Sequence, residues 1–281
     1  MNFLQTIKFG SHKLKSKNID SHSLESELLL SFALNSSREK ILINLNTNIY
    51  KQKFNEFKKL LSRRIKKEPI AYITNKKEFW KNNFYINNDV LIPRPETELI
   101  VEEVLNKTNA LSSKRLLEIG TGSGCIIVSI IKERPNCLAT AIDISKKALN
   151  IAKFNAKMHH IENKINFINI DIDKIQVNKY DFVISNPPYI KKFDLSRLDE
   201  SVRFFEPYIA LEAGIDGLRE IKKIILRSKK LLKLNGKLIF EIGKHQSYIT
   251  KKILIENGYY INKVINDFSS IPRVIVSTKI N

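Results

Sequence analysis

The sequence predicts an α/β protein: a small all-helical domain, a β-hairpin linker, then a seven-stranded, mostly parallel sheet with helices on both faces. Three observations carry this reading. From about residue 114 onward, short apolar runs of strand length alternate with segments of helical period. A glycine-rich turn, Gly120-Thr121-Gly122-Ser123-Gly124, separates the first of those strands from the first of those helices. Residues 1 to 68 lack the alternation and carry apolar residues at helical spacing instead.

In the helical region, Ser21–Leu34 opens with a cap at Ser21 or Ser23, and Leu24, Leu28 and Leu29 follow as a core stripe. Phe54, Phe57, Leu60, Leu61 and Ile65 form a second stripe, with Lys58, Lys59, Arg63 and Arg64 on a solvated face. Glu68-Pro69 ends the bundle. Residues 69–95 read as a hairpin linker, its strands marked by Tyr72 and Ile73, by Phe79-Trp80 and by Phe84-Tyr85-Ile86, with Asn75 at a turn. Pro93-Arg94-Pro95 closes the linker, and Glu96–Leu105 is the first helix of a domain spanning 96–281, with acidic residues in its first turn.

Strands are expected at Arg115–Ile119, Leu138–Ile142, Ile165–Ile170, Phe182–Ser185, Lys237–Ile242, Tyr259–Ile265 and Arg273–Thr278. Helices are expected at Ile126–Lys132, Lys146–Met158, Leu218–Leu232 and Tyr248–Asn257. No helix separates the last two strands, so an antiparallel edge is expected.

Composition narrows the function classes. The 281 residues suffice for one large or two ordinary domains, and 43% hydrophobic content is that of a globular protein. No apolar stretch reaches the roughly 18–20 residues of a membrane span. Met1–Lys8 lacks the hydrophobic stretch of a signal peptide, and Cys125 and Cys137 are too few for a disulfide framework, so a reducing cytoplasm is the expected location. A net charge of +19 would suit a nucleic-acid partner. The lysines, however, are spread along the whole chain beside many Ile and Asn, which reads as compositional bias. His159-His160 lacks further ligands at metal-binding spacing, and no metal is expected.

The most informative tetrapeptide is Asn186-Pro187-Pro188-Tyr189, which follows the apolar run Phe182–Ser185. Two prolines stiffen the backbone past that strand and remove two N–H donors. The loop therefore presents carbonyls, preceded by an amide and followed by an aromatic ring. Such a set suits a planar NH₂ group: acceptors for its protons and a ring for its face. An ordinary loop turn is the plainer alternative.

The glycine turn lets backbone approach a ligand, and the following helix start offers free N–H groups. Asp143 ends the next strand, near the offset expected for a carboxylate that grips ribose hydroxyls. A dinucleotide fingerprint would put its third glycine at 125, where this chain has Cys125; the third glycine comes early, at Gly124. This Gly-x-Gly-x-Gly form resembles S-adenosylmethionine-dependent methyltransferases with a Rossmann-like sheet. That resemblance places Gly120, Thr121, Gly122, Ser123, Gly124, Asp143 and Asn186 around the cofactor, Asp171 at the adenine amino group and Ile172 along the adenine ring.

Phe79-Trp80, Leu91-Ile92-Pro93-Arg94-Pro95-Glu96-Thr97-Glu98, Asn186-Pro187-Pro188-Tyr189-Ile190 and Arg203-Phe204-Phe205-Glu206-Pro207 together are similar to the glutamine N-methyltransferase family that modifies peptide-chain release factors. The similarity covers essentially the full length. It departs mildly at Asn75 and Ser270, where the family often has glycine. The resemblance implies methyl transfer to the side-chain amide of the Gln in a release factor's Gly-Gly-Gln loop. Asn186 and the Pro187 carbonyl would hold the amide, Pro188 would line its pocket and Tyr189 would pack against its plane. Such a protein would act as a monomer, with the helical bundle helping to clasp the release factor and with no need of nucleic acid or membrane. Glu118, Glu206 and Arg94 are secondary candidates, Arg94 either for substrate contact or for pinning the linker. Two rivals remain: a methyltransferase acting on an exocyclic amine of RNA or DNA, and a non-catalytic binding module that keeps the cofactor fold.

Overall fold

The computed structural model describes residues 1–176 and 178–280 and divides into two compact units. The first comprises residues 1–76 with Asp199–Phe205; the second comprises Lys77–Leu198 and the chain from Glu206 on. The boundary between the units falls at residue 76, where the sequence reading ended the helical domain at 68.

Five helices open the first unit: α1 (Phe3–Lys15), α2 (His22–Leu34), α3 (Arg38–Ile43), α4 (Lys51–Ile65) and α5 (Ile70–Thr74). α1 starts in a capping box: Asn2 Oδ1 accepts from the Gln5 N–H, and the Gln5 side chain accepts from the Asn2 N–H. Ser21 occupies the N-cap of α2 without capping it, because its hydroxyl donates to Glu25. The buried stripe of α2 is Ser26, Leu29, Leu30 and Ala33, so Leu24, expected inside, is exposed. The i, i+3, i+4, i+7 face is thus rotated from the one that Leu24 and Leu28 suggested. On α4 the expected stripe holds: Phe57 and Leu61 are buried, and Phe54, Leu60 and Ile65 pack at the margin.

Tyr72 and Ile73, expected in a strand, belong to α5. Pro69 at the N-cap of a one-turn helix and Asn75 with φ 52° at its end explain the change: one presets the start, the other tolerates the left-handed stop. Packing of α5 against α2 and α4 extends the first unit past residue 68.

The second unit begins inside the hairpin of β1 (Lys76–Phe79) and β2 (Asn82–Tyr85), then has α6 (Glu98–Asn106), entered through a 3₁₀ turn at Pro95–Thr97. There follow β3 (Arg115–Ile119), α7 (Cys125–Glu133), β4 (Leu138–Asp143), α8 (Lys146–Met158), β5 (Ile165–Asn169) and β6 (Tyr180–Ser185). After α9 (Glu200–Phe205), which belongs to the first unit, come α10 (Arg219–Leu231), β7 (Leu232–Glu241), α11 (Ser247–Glu256), β8 (Tyr259–Asn266) and β9 (Pro272–Lys279).

The seven strands lie in the order β5-β4-β3-β6-β7-β9-β8. The first five are parallel, and β9 runs antiparallel between β7 and β8, as the missing helix led one to expect. Leu117, Val183, Phe240 and Ile275 are fully buried in the middle of this sheet. The chain leaves β3 toward β4 on one side and returns to β6 on the other, so a crevice opens at the carboxyl ends of β3 and β6. Register makes the placement sharp: Ile119 pairs with Ile142 and with Ser185, and Ser185 pairs with Phe240. Gly120, Asp143, Asn186 and Glu241 consequently emerge side by side. No helix among the described residues is long and apolar enough to cross a membrane.

Gly10, in mid-α1, sits where three helices meet. A Cβ there would lie 2.3 Å from Ser26 Oγ and 2.6 Å from Phe57 Cζ. Alanine gains about 1 kcal/mol of helix propensity, but overpacking costs about 1–3 kcal/mol. Gly10→Ala is therefore expected to lower the denaturation midpoint; an unchanged or raised midpoint would show that the helices separate freely.

Candidate active site

The crevice is a cavity of about 320 Å³ whose walls all belong to the second unit. Its floor is the glycine turn. Gly120 and Thr121 donate to the Ile142 carbonyl at 2.9 and 3.0 Å, and Gly122 N–H donates to Asp143 Oδ2 at 2.9 Å. Gly122 has φ 55°, and a Cβ there would meet nothing within 4 Å, so the space above it is free for a ligand. Gly124 serves packing instead: a Cβ would lie 3.1 Å from that of Ala152 on α8.

Asp143 also accepts from Ser145 N–H at 2.8 Å, which leaves each carboxylate oxygen a further lone pair for a hydroxyl. Burial raises its pKa against the pull of these backbone donors. Asp171 and Ile172 lie on the same wall. Asp171 is already engaged: Lys223 Nζ reaches Oδ1 at 2.7 Å and Oδ2 at 2.8 Å, and Asp173 N–H donates to Oδ1 at 2.8 Å. Burial acts to raise the Asp171 pKa, but the Lys223 hydrogen bond and charge carry it below the ordinary value.

Asn186, Pro187 and Pro188 form the opposite rim. Ser185 Oγ, buried beneath them, donates to the Ile119 carbonyl at 2.8 Å and ties the two strand ends together. Asn186 Nδ2 donates to Thr97 Oγ1 at 3.0 Å, and Thr97 Oγ1 donates to Glu241 Oε2 at 2.6 Å. Tyr189 departs from expectation. It is not among the cavity-lining residues: it lies near Glu241, and its ring abuts Gly243. Burial raises the Tyr189 pKa, so the phenol stays protonated.

The secondary candidates Glu206 and Arg94 meet each other, while Asn155 and Glu241 escaped the sequence reading. Glu206, buried at the end of the Arg-Phe-Phe-Glu-Pro segment, accepts from Ile92 N–H at 3.1 Å and from the Arg94 guanidinium. Arg94 thus pins the linker. Asn155 accepts from Tyr85 N–H and donates to the carbonyls of Tyr85 and Ser123, which fastens β2 and the glycine turn to α8. Glu241 had one legible signal, a carboxylate ending the apolar run Leu238–Phe240.

Glu118 is buried under the turn, where Thr121 Oγ1 donates to its Oε2 while Oε1 has no hydrogen-bond partner among the described residues. Burial, with Asp143 nearby, pushes its pKa up to about 8. An orphaned carboxylate oxygen of this kind calls for a cationic donor. The residues present fit S-adenosylmethionine: Asp143 would take the ribose hydroxyls, Asp171 with Ile172 the adenine, and Glu118, beneath the turn, the ammonium.

Known proteins resemble this chain along most of its length. A family model described as "PrmC N-terminal domain" matches residues 5–74, and one described as "Methyltransferase small domain" matches residues 95–203. A "Bifunctional methyltransferase" of Rickettsia felis is 36% identical over 305 residues, covering 99% of this chain but 58% of that protein. The chain thus spans a little over half the length of that relative. A "Release factor glutamine methyltransferase" of Buchnera aphidicola subsp. Baizongia pistaciae is 35% identical over 273 residues, 97% of this chain and 98% of that protein. Among solved structures, a methyltransferase from Pyrococcus furiosus superposes with a TM-score of 0.52 at 17% identity, over 70% of this chain and 89% of that one. A likeness so distant bears on the fold alone.

Glu118 also makes a stability prediction. Its folded pKa lies above the ordinary 4.5, so its contribution to stability is full below about pH 4.5 and is lost as pH rises toward 8. Glu118→Gln should therefore raise the thermal midpoint at pH 8 by at least about 2 °C, the shift that 1 kcal/mol gives in a chain of this size. The gain should shrink toward pH 5, and S-adenosylmethionine affinity by calorimetry should fall. Superimposable midpoint-versus-pH curves for the two proteins would contradict the assignment.

Proposed function

The chain belongs to the release factor glutamine methyltransferase family, and from that premise we propose that it methylates the side-chain amide nitrogen of the Gln in the Gly-Gly-Gln loop of peptide-chain release factors. The observation that carries the reading is the rim itself: Asn186, Pro187 and Pro188 face the glycine turn across one cavity, with the Asn186 NH₂ already bound to Thr97. That leaves Oδ1 as the group the side chain can offer a substrate.

S-adenosylmethionine, when bound, supplies an electrophilic sulfonium methyl. Everything else falls to the protein. An amide nitrogen is a weak nucleophile because its lone pair is delocalised into the carbonyl. Two acceptors, Asn186 Oδ1 and the Pro187 carbonyl, hold the two amide protons and stabilise the positive charge that grows on nitrogen as the C–N bond forms. The prolines have no N–H to compete at that rim. Holding the nitrogen in line contributes up to roughly 7–11 kcal/mol of effective concentration. An N-methylated amide nitrogen is so acidic that its extra proton leaves without a strong base at the rim. Gly120 to Gly124, Glu118, Asp143, Asp171 and Ile172 hold the cofactor. Tyr189, directly after the prolines, would pack against the amide plane.

In this reading the helical unit recognises the release factor, the protein works as a monomer, and no nucleic acid is needed. Two free thiols, Cys125 and Cys137, suit a reducing cytoplasm. The +19 charge favours one competing reading, transfer to an exocyclic amine of nucleic acid.

Labelled S-adenosylmethionine offered with release factor, duplex DNA and rRNA separately decides between them. Label is expected in release factor alone and should vanish when the loop Gln is changed to Ala; label only in nucleic acid would overturn the proposal. Asn186→Ala should cut turnover by about 10²–10³, the loss of one oriented polar contact, with cofactor binding retained. Near-normal turnover by that variant would remove Asn186 from its role.

A further inference from the structure

Thr97 lines the cavity beside the rim and Glu241 lies behind it, both almost fully buried, with 2% and 1% of their surface exposed. Thr97 has one hydroxyl proton, and it goes to Glu241 Oε2. The oxygen of Thr97 is then an acceptor, and only the NH₂ end of the Asn186 amide can face it. A reversed amide would set Oδ1 against a lone pair. Tyr189 is also near this carboxylate.

We propose that Glu241 and Thr97 are positioning residues that set which end of the Asn186 side chain faces the substrate, and that a proton on Glu241 reverses the relay. The inference rests on the reading above, in which the substrate is a side-chain amide. With Glu241 ionised, the hydrogen bonds run from Asn186 to Thr97 to Glu241 and leave Oδ1 toward the cavity. A protonated Glu241 donates to Thr97 instead. The hydroxyl proton of Thr97 then turns to Asn186 Oδ1, and the Asn186 NH₂ is presented to another NH₂, which repels it. The same atoms thus make a competent rim in one protonation state and an incompetent one in the other.

The groups that face Glu241 set where this happens. Thr97 and Glu96 come from the turn before α6, Tyr189 from the loop after β6, and Arg273 from β9. Arg273 is paired with Asp267 at 2.8 Å, and Glu96 opposes it. Arg94, also close to Tyr189, is neutralised by Glu206. Burial dominates and pushes the Glu241 pKa up to about 7, against the hydrogen bonds from Thr97 and Tyr189.

The test compares wild type with Thr97→Val, Thr97→Ser and Glu241→Gln at saturating S-adenosylmethionine between pH 5.5 and 8.5. Wild-type kcat should fall about tenfold per pH unit well below pH 7. Thr97→Val should lower kcat by about 10- to 100-fold, less than losing the amide itself, and should abolish the acid limb. Thr97→Ser should restore most of the rate and the limb, and Glu241→Gln should flatten the profile. Cofactor affinity by calorimetry should stay within about twofold for all three, as for residues that act through Asn186. A second readout needs no turnover: the ¹⁵N side-chain signals of Asn186, assigned by their loss in Asn186→Asp, should titrate near pH 7 in wild type and stay fixed in Glu241→Gln. A Thr97→Val variant with wild-type kcat and acid limb, or Asn186 signals that do not titrate, would overturn the relay. Wild type that labels no release factor at any pH would refute the parent reading instead, and the Asn186 titration would still decide the relay.

Discussion

The hydroxyl of Thr97 donates to Glu241 and accepts from Asn186, so the amide at the head of the proline loop satisfies its neighbours in one orientation only. Water could not impose this. In solution an asparagine amide rotates freely and offers either end. Burial of Thr97 and Glu241 removes solvent as an alternative partner, and the buried carboxylate then dictates the direction of every hydrogen bond in the chain. The prolines fix the backbone while this relay fixes the one side chain that the backbone cannot.

Sheet topology makes the relay possible. Four strand ends, at Ile119, Asp143, Ser185 and Glu241, lie along one edge because β3, β4, β6 and β7 are parallel and in close register. A helix dipole or a lone glycine turn would bind an anion almost anywhere. Here the turn is flanked by Asp143 on one side and by the proline loop on the other, and two further carboxylates, Glu118 and Glu241, are buried beneath. Burying acids costs stability, and both have pKa values raised well above the ordinary range. The fold tolerates them because the surrounding core, with Leu117, Val183 and Phe240 at its centre, is large enough to carry the deficit.

Much of this was legible in the sequence, and the reasons are local. The glycine turn, Asp143, Asp171 and the Asn-Pro-Pro loop each end an apolar run of strand length, and each was placed on the cavity wall by its own neighbours in sequence. The antiparallel edge came from a missing helix. The hidden part depends on tertiary packing. Thr97 and Glu241 are 144 residues apart, and nothing near either reveals the other. Asn155 looks like an ordinary polar position on a helix, yet it bridges a hairpin strand and the glycine turn. Tyr72 and Ile73 fit a strand until Pro69 and Asn75 are read as the two ends of a single helical turn. Leu24 fits a leucine stripe whose true face is set by how α2 meets α1 and α4. Tyr189 reads as a stacking ring from its place directly after the prolines, and the structure sets that ring against Gly243 near Glu241.

The orientation of the Asn186 amide is the point on which the account stands, and neutron diffraction reads it directly, because deuterium positions separate amide nitrogen from oxygen. The crystal would hold S-adenosylhomocysteine and a Gly-Gly-Gln peptide near pH 8. The account predicts Asn186 Nδ2 deuterated and bonded to Thr97, with Oδ1 within about 3.2 Å of the peptide's glutamine nitrogen. Deuterium on the end of Asn186 that faces the peptide, or a peptide amide bound away from that loop, would contradict it.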